Sequence, residues 1–474
     1  MNYICFLDYG VLLTRMRNNL SNITAGITIG LLFGTLFLGC SRLDSVTIIW
    51  SRPGTGTGLA TGMAIGDEFL YIVASDRSRY AKYGRWHIEK RRVKDGLIEP
   101  SFGSLGVVSG AEEMGSSRSI AVDSQYMYVI GDDNGPGIDD SQWRIEKRIL
   151  LNGSLVSGFG NGGVVASNPT PKQDVPHAIA IDADYMYIVG TETTIRQLSD
   201  DEYIHDMQWR IEKRNLSDGA PVSNFGDGGF VTVNPSEISG RAGLESPNAI
   251  AVDAEFMYVA GAAYKKAPFD MIWRIEKRRL TDGSLCTEFG NGGVVTSDPG
   301  PGHDELYSLA VDDEFMYLVG HDTSPDNAAD QRWRVEKRSL KDGALDTGFG
   351  NGGVATDNPG NLDDRAYAVA LDKKSSLWQR ISYLDIFGGG PAMYVVGNNE
   401  TQGKNNKRWL IEKRRMSDGK LEAEFGRDGI LTASSAIYHT AREITADADY
   451  IYICVYDYIN GVYSPAWRIV KVKK

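Results

Sequence analysis

The hexapeptide Trp143-Arg144-Ile145-Glu146-Lys147-Arg148 constrains this chain more than any other feature. It returns as Trp209 to Arg214, as Trp273 to Arg278 and as Trp333-Arg334-Val335-Glu336-Lys337-Arg338. Altered copies begin at Trp86, Trp409 and Trp467. Seven copies at intervals of about 60 residues demand stacked units that share one structure, not a row of unlike domains.

Each unit reads as four strands. In the fifth, Ser308 to Asp312 is followed by Phe315 to Gly320, then Arg332 to Arg338, then Val354 to Thr356. Alternating apolar residues, β-branched and aromatic enrichment, and Asp-Gly or Asn-Gly punctuation all argue for strands. No helical period runs for any useful length. The seventh unit stops at Lys474 after its third strand, while Ser45 to Trp50 is a strand without a unit. The pattern therefore predicts an all-β fold, a seven-bladed β-propeller closed by an N-terminal strand. Closure of this kind leaves only short sheet edges.

The N-terminus reads differently. Arg15 and Arg17 precede an uncharged stretch, Asn18 to Ser41, whose apolar run ends at Leu36-Phe37-Leu38-Gly39-Cys40. A basic region, an apolar region and a small residue before a cut describe a secretory signal. Cysteine directly after the cut resembles the bacterial lipoprotein signal, which implies lipidation of Cys40. An uncleaved anchor and plain secretion are the alternatives, and all three place the body outside the cytoplasm. The expected division is a signal at 1–40, with translation starting at Met16, and a single propeller at 41–474. The net charge of -12 argues against nucleic acid, which needs a basic footprint. Cys286 and Cys454 fall in distant repeats, so no disulfide is expected between them.

The stretch Asp342 to Gly353, followed by a strand and an Ala-x-Ala-Val-Asp segment, resembles the bacterial delta-60 repeat over roughly residues 61–474. That resemblance implies an extracytoplasmic, propeller-like repeat protein. It brings no agreed activity, so no catalytic residue is carried over.

Residues repeated in every unit are expected to be scaffold. Alternation puts Arg144, Glu146 and Arg148 on one sheet face, which suggests Arg–Glu pairs within or between blades, or else an anion-binding ring. The aspartates ending the first strands (Asp123, Asp182, Asp253, Asp312, Asp372, Asp447) fit tight turns better than a ring of metal ligands. The glycines of the Phe-Gly-x-Gly-Gly elements suit turns with positive φ, not phosphate loops.

Function is expected where units differ. The connections between second and third strands carry Asp132, Asp133, Asp139 and Asp140, then Asp200, Asp201 and Asp206, then Asp322, Asp326 and Asp330. Such a rim could hold Ca²⁺ or a basic partner, or be plain solvated surface. The sixth unit has an insertion, 373–391, with Trp378, Tyr383 and Phe387, which reads either as a contact loop or as a surface excursion. Histidine spacing gives no metal site, and no catalytic constellation is legible. The expected role is a non-enzymatic surface lipoprotein, monomeric, with no cofactor beyond a possible calcium ion. Its partner would be a protein or glycan of the cell envelope, and lipid its only membrane contact. The alternative is an extracytoplasmic enzyme, glycan-active or dependent on a metal or quinone, with its site in the axial funnel. Convergent, non-repeated polar residues with perturbed pKa values there would favour the enzyme. A lining of Ala121, Ala180, Ala251, Ala310 and Ala370 would favour the scaffold.

Overall fold

A computed structural model describes residues 46–474 except 52–56, 78–83, 111–114, 136–139, 200–201, 236–244, 266–269, 361, 373–389, 401–406, 433–438 and 459–464. Cys40 and the signal, Asp139, Asp200, Asp201, Trp378, Tyr383 and Phe387 lie outside the described residues.

The chain forms seven four-stranded antiparallel sheets, each blade running from an inner to an outer strand in chain order. The inner strands are Thr57–Gly66, Ser117–Val122, Val175–Ile181, Ser246–Val252, Glu305–Val311, Arg365–Asp372 and His439–Ala446. Each packs beside the next, and the seventh packs beside the first, so the seven encircle one axis. The last sheet takes its outer strand from the N-terminus: Val46–Ser51 pairs antiparallel with Pro465–Lys473, from Val46 against Val472 to Ser51 against Arg468. The orphan strand of the sequence thus completes the blade that lacks one.

The hexapeptide explains how blades stack. Its tryptophans at 86, 143, 209, 273 and 333 are buried to within 1 %. Four of them donate an indole N–H across the seam, as Trp143 does to the Thr191 carbonyl of the next blade. Its lysine does likewise, Lys147 Nζ reaching Leu216 O at 2.7 Å after crossing the faces of Tyr126 and Tyr128. Lys471 of the seventh blade reaches Val93 O of the first, so the same bond closes the ring.

The arginines are paired within blades. Arg334 and Arg338 each hold one oxygen of Glu336 at 2.6–2.7 Å, and Arg338 also donates to the Gly343 carbonyl of the turn that follows. The same triad is built around Glu146, Glu212 and Glu276. No anion-binding ring of arginines results. Burial works against the charge on Glu212 and Glu336, yet their two guanidiniums outweigh it and hold both carboxyls below the usual range. In the sixth blade Leu410 replaces the first arginine, and burial pushes Glu412 up to about 8.

The turn aspartates are turns. Asp253 Oδ1 accepts the Glu255 and Phe256 amides, while its Oδ2 accepts the Tyr258 hydroxyl at 2.7 Å. The insertion breaks this unit in the sixth blade: Asp372 pairs with Lys474 instead, and the buried Tyr394 hydroxyl has no partner among the described residues. Tyr258→Phe should therefore cost about 1–2 kcal/mol in denaturant unfolding, whereas Tyr394→Phe should be neutral or slightly stabilising. Equal losses at both positions would contradict this assignment. In the Phe-Gly-x-Gly-Gly elements Gly160, Gly162 and Gly163 have φ of 53°, 65° and 99°, as a turn role requires. Cys286 and Cys454 are both buried and are not joined by a disulfide.

Candidate functional site

Every inner strand carries a β-bulge at the same place. The register against the second strand skips one residue between Ala60 and Gly62, Ser117 and Ser119, Pro176 and Ala178, Pro247 and Ala249, Leu306 and Ser308, Ala366 and Ala368, and Ala441 and Glu443. A bulged residue drops out of the ladder and its side chain is re-aimed. The seven bulged residues are Thr61, Arg118, His177, Asn248, Tyr307, Tyr367 and Arg442. The part of the strand after the bulge repeats from unit to unit, whereas the bulge holds polar, aromatic and cationic residues in turn, and the positions just before it vary too.

These side chains meet around the axis. Asn248 donates to Leu306 O of the next blade at 2.8 Å. The rings of Tyr307 and Tyr367 lie 5.0 Å apart, and the Arg442 guanidinium sits 3.7 Å over Tyr367. Tyr307 also stacks on His321 at 5.6 Å and accepts a hydrogen bond from Arg365 at 3.0 Å. Its own hydroxyl donates to Glu305. Burial, reinforced by Glu305, raises the Tyr307 hydroxyl well above its usual range.

On the other side, burial and the nearby Arg118 charge push His177 down to about 3, so its imidazole is neutral, and its buried Nε2 has no partner among the described residues. Glu443 follows Arg442 on the seventh inner strand, at the register where other blades have Gly62, Ser119, Ala178, Ala249, Ser308 and Ala368. Burial pushes it up to about 8, so it keeps its proton at neutral pH. Further along the same strands Ala121, Ala180, Ala251, Ala310 and Ala370 occupy one level and are half-buried. The channel is thus varied and polar at the bulges, where the inner strands begin, and small and repetitive beyond them.

The acidic rim needs correction. The second and third strands run further than the pattern suggests, so Asp132, Asp133, Asp206, Asp322 and Asp330 lie on strands, not on loops. Asp140, Asp206, Asp322 and Asp330 are all at least 94 % buried. Asn168, Asn234 and Asn358 cap Asp140, Asp206 and Asp330 respectively, while Asp322 holds Arg332 and Arg334. Asp132 and Asp133 pair with Arg118 and Arg144. Of the predicted rim residues that the structure describes, only Asp326 is exposed.

A second set of acids escaped the sequence reading. Asp174, Asp304 and Asp364 stand three residues before the bulge and accept backbone amides: Asp304 takes those of Thr323 and Gly300 at 2.8 and 3.0 Å. Burial pushes their carboxyls up to about 6, 7 and 6. They tie the blade-to-blade connection to the second strand and are scaffold. No group of three or more His, Cys, Asp or Glu among the described residues is arranged to hold a metal.

A scan against protein-family models finds no match, and a search of curated proteins finds none. Solved structures similar to the chain include the acylaminoacyl peptidase of Pyrococcus horikoshii, at 9 % identity and a TM-score of 0.38 over 88 % of this chain and 52 % of that one. This chain thus spans about half the length of that protein. Another is the sucrose-6-phosphate hydrolase of Lactobacillus gasseri, at 9 % identity and a TM-score of 0.30 over 87 % of this chain and 90 % of that one. Likenesses at this level carry no argument about function.

Proposed function

We propose that this chain is a non-enzymatic binding propeller of the cell envelope, tethered through lipid on Cys40, that seats a glycan or protein partner at the mouth of its axial channel. The bulge register supports this reading. A scaffold needs the same residue seven times; recognition needs different ones, and they differ where the ladder leaves a side chain free. The seat therefore moves from the acidic rim to the axis.

The test is capture of envelope proteins and a glycan array by the full-length chain, repeated with Asn248→Ala and with Asp326→Asn. Capture lost in the first variant and kept in the second supports the axial seat. The reverse pattern would return the site to the rim.

The enzymatic alternative draws on the same varied, polar bulge residues, with Tyr307 and His177 shifted by burial, and on Glu443, a proton-holding acid at a level otherwise built of small residues. Against it, the Glu443 side chain makes no hydrogen bond among the described residues, and no second carboxyl is paired with it. Glu443→Gln should leave binding intact. A turnover detected in the wild-type chain and lost in that variant would establish the enzyme.

A further inference from the structure

Two arginines at the bulges differ from the repeated ones. Net charge is -12, and the hexapeptide arginines around Glu146, Glu212, Glu276 and Glu336 each hold that glutamate. Arg442 does not. It is exposed, its guanidinium lies over the ring of Tyr367, and its charge acts on the adjacent Glu443 carboxyl. Behind that ring stand Tyr307 and then His321, so the guanidinium rests on the end of a pile of aromatic rings. Cation–π contact of this kind fixes the side chain without using any of its N–H donors.

Two blades on, Arg118 occupies the same bulge position, with Thr61 between them on the first blade. Asp132 takes the Nε–H of Arg118 at 3.0 Å, and its terminal nitrogens donate to nothing among the described residues. Both arginines thus offer a planar, bidentate donor edge, the geometry that matches carboxylate and phosphate oxygens. Asp132 balances the charge of Arg118 while leaving its terminal nitrogens open, and Glu443, beside Arg442, is pushed up to about 8 by burial.

We propose that Arg442 and Arg118 receive an oxyanion of the ligand, a carboxylate, phosphate or sulfate group; Thr61 stands between them, its hydroxyl 3.3 Å from that of Ser117. This rests on the axial-mouth reading and names the chemistry that the mouth selects. The aromatic pile is a brace: it holds Arg442 in place before the ligand arrives, which lowers the ordering cost of binding.

The experiment is titration calorimetry on the full-length chain with tetragalacturonate, inorganic phosphate, inorganic sulfate and, as the uncharged control, galactotetraose. At least one anionic probe should bind, the control should not, and raising the salt should weaken binding. Arg442→Gln should weaken it at least tenfold, with thermal unfolding unchanged because the side chain is exposed. Arg442→Lys should recover only part, since an ammonium keeps the charge without the bidentate edge. The three anionic arms tell carboxylate from phosphate from sulfate. Binding by no anionic probe, or binding indifferent to Arg442→Gln, overturns the proposal. If capture of an envelope partner depends on Asn248 but not on Arg442, the oxyanion assignment falls while the axial seat stands.

Discussion

Deleting Val46–Ser51 lowers the unfolding free energy of the propeller by roughly 3–5 kcal/mol. The segment supplies the outer strand of the last blade, pairing at five positions with Pro465–Lys473. Each net backbone hydrogen bond contributes about 0.5–1.5 kcal/mol, so one bond per paired position gives about 2.5–7.5 kcal/mol, and the expected loss lies in the lower half of that span. The loss falls at one seam, where Tyr452, Cys454, Trp467 and Ile469 of the last blade share a buried cluster with Leu70 and Ile72 of the first. Chemical denaturation of the deletion, followed by tryptophan emission, reads the effect. Hydrogen exchange should locate it, with protection falling first in the seventh and first blades. An unchanged midpoint would mean that the ring closes without its N-terminal strand.

The second large effect is at Glu336. Its carboxylate is fully buried between Arg334 and Arg338, so Glu336→Gln leaves two guanidiniums with one neutral acceptor. Removing one partner of a buried ionic group costs about 3–5 kcal/mol. Glu412→Gln should cost clearly less, because that side chain has lost one arginine already and keeps its proton up to about pH 8. The two sites also differ in sign with pH. Glu336 titrates below its unfolded value, so its contribution is full above the usual carboxyl range and is lost as pH falls through its folded pKa. Glu412 titrates above its unfolded value, so its contribution declines as pH rises from about 4.5 to about 8. Thermal melts of the two variants across pH would show opposite changes in slope, and parallel curves would refute the assignment.

The ring was legible because period is a strong signal: tryptophan at a fixed interval, and a strand alternation that Trp333 to Arg338 obeys without exception. Even the closing strand could be read, from a unit short of one strand and a strand short of a unit. The turn aspartates and turn glycines were legible for the same reason, since tight turns admit few residues. The site was not. A bulge leaves no mark in a sequence, because the extra residue does not disturb the hydrophobic pattern on either side of it. His177 precedes Ala178-Ile179-Ala180 as Tyr307 precedes Ser308-Leu309-Ala310, and aligning the units shows the variation only to a reader who knows which register to inspect. Acidity misled in the opposite direction. Asp206, Asp322 and Asp330 look like rim residues in a polar stretch, yet strand extension buries them against asparagines and arginines.

The bulges separate two kinds of inheritance. A residue outside the ladder contributes no rung, so exchanging it alters neither the register of its own blade nor the lysine and tryptophan bonds that carry one blade to the next. Seven such places stand around a single axis, and the backbone ladder does not depend on which side chain fills them. What the axis presents can therefore change one position at a time without a change of strand register, at a cost confined to the contacts of the exchanged side chain.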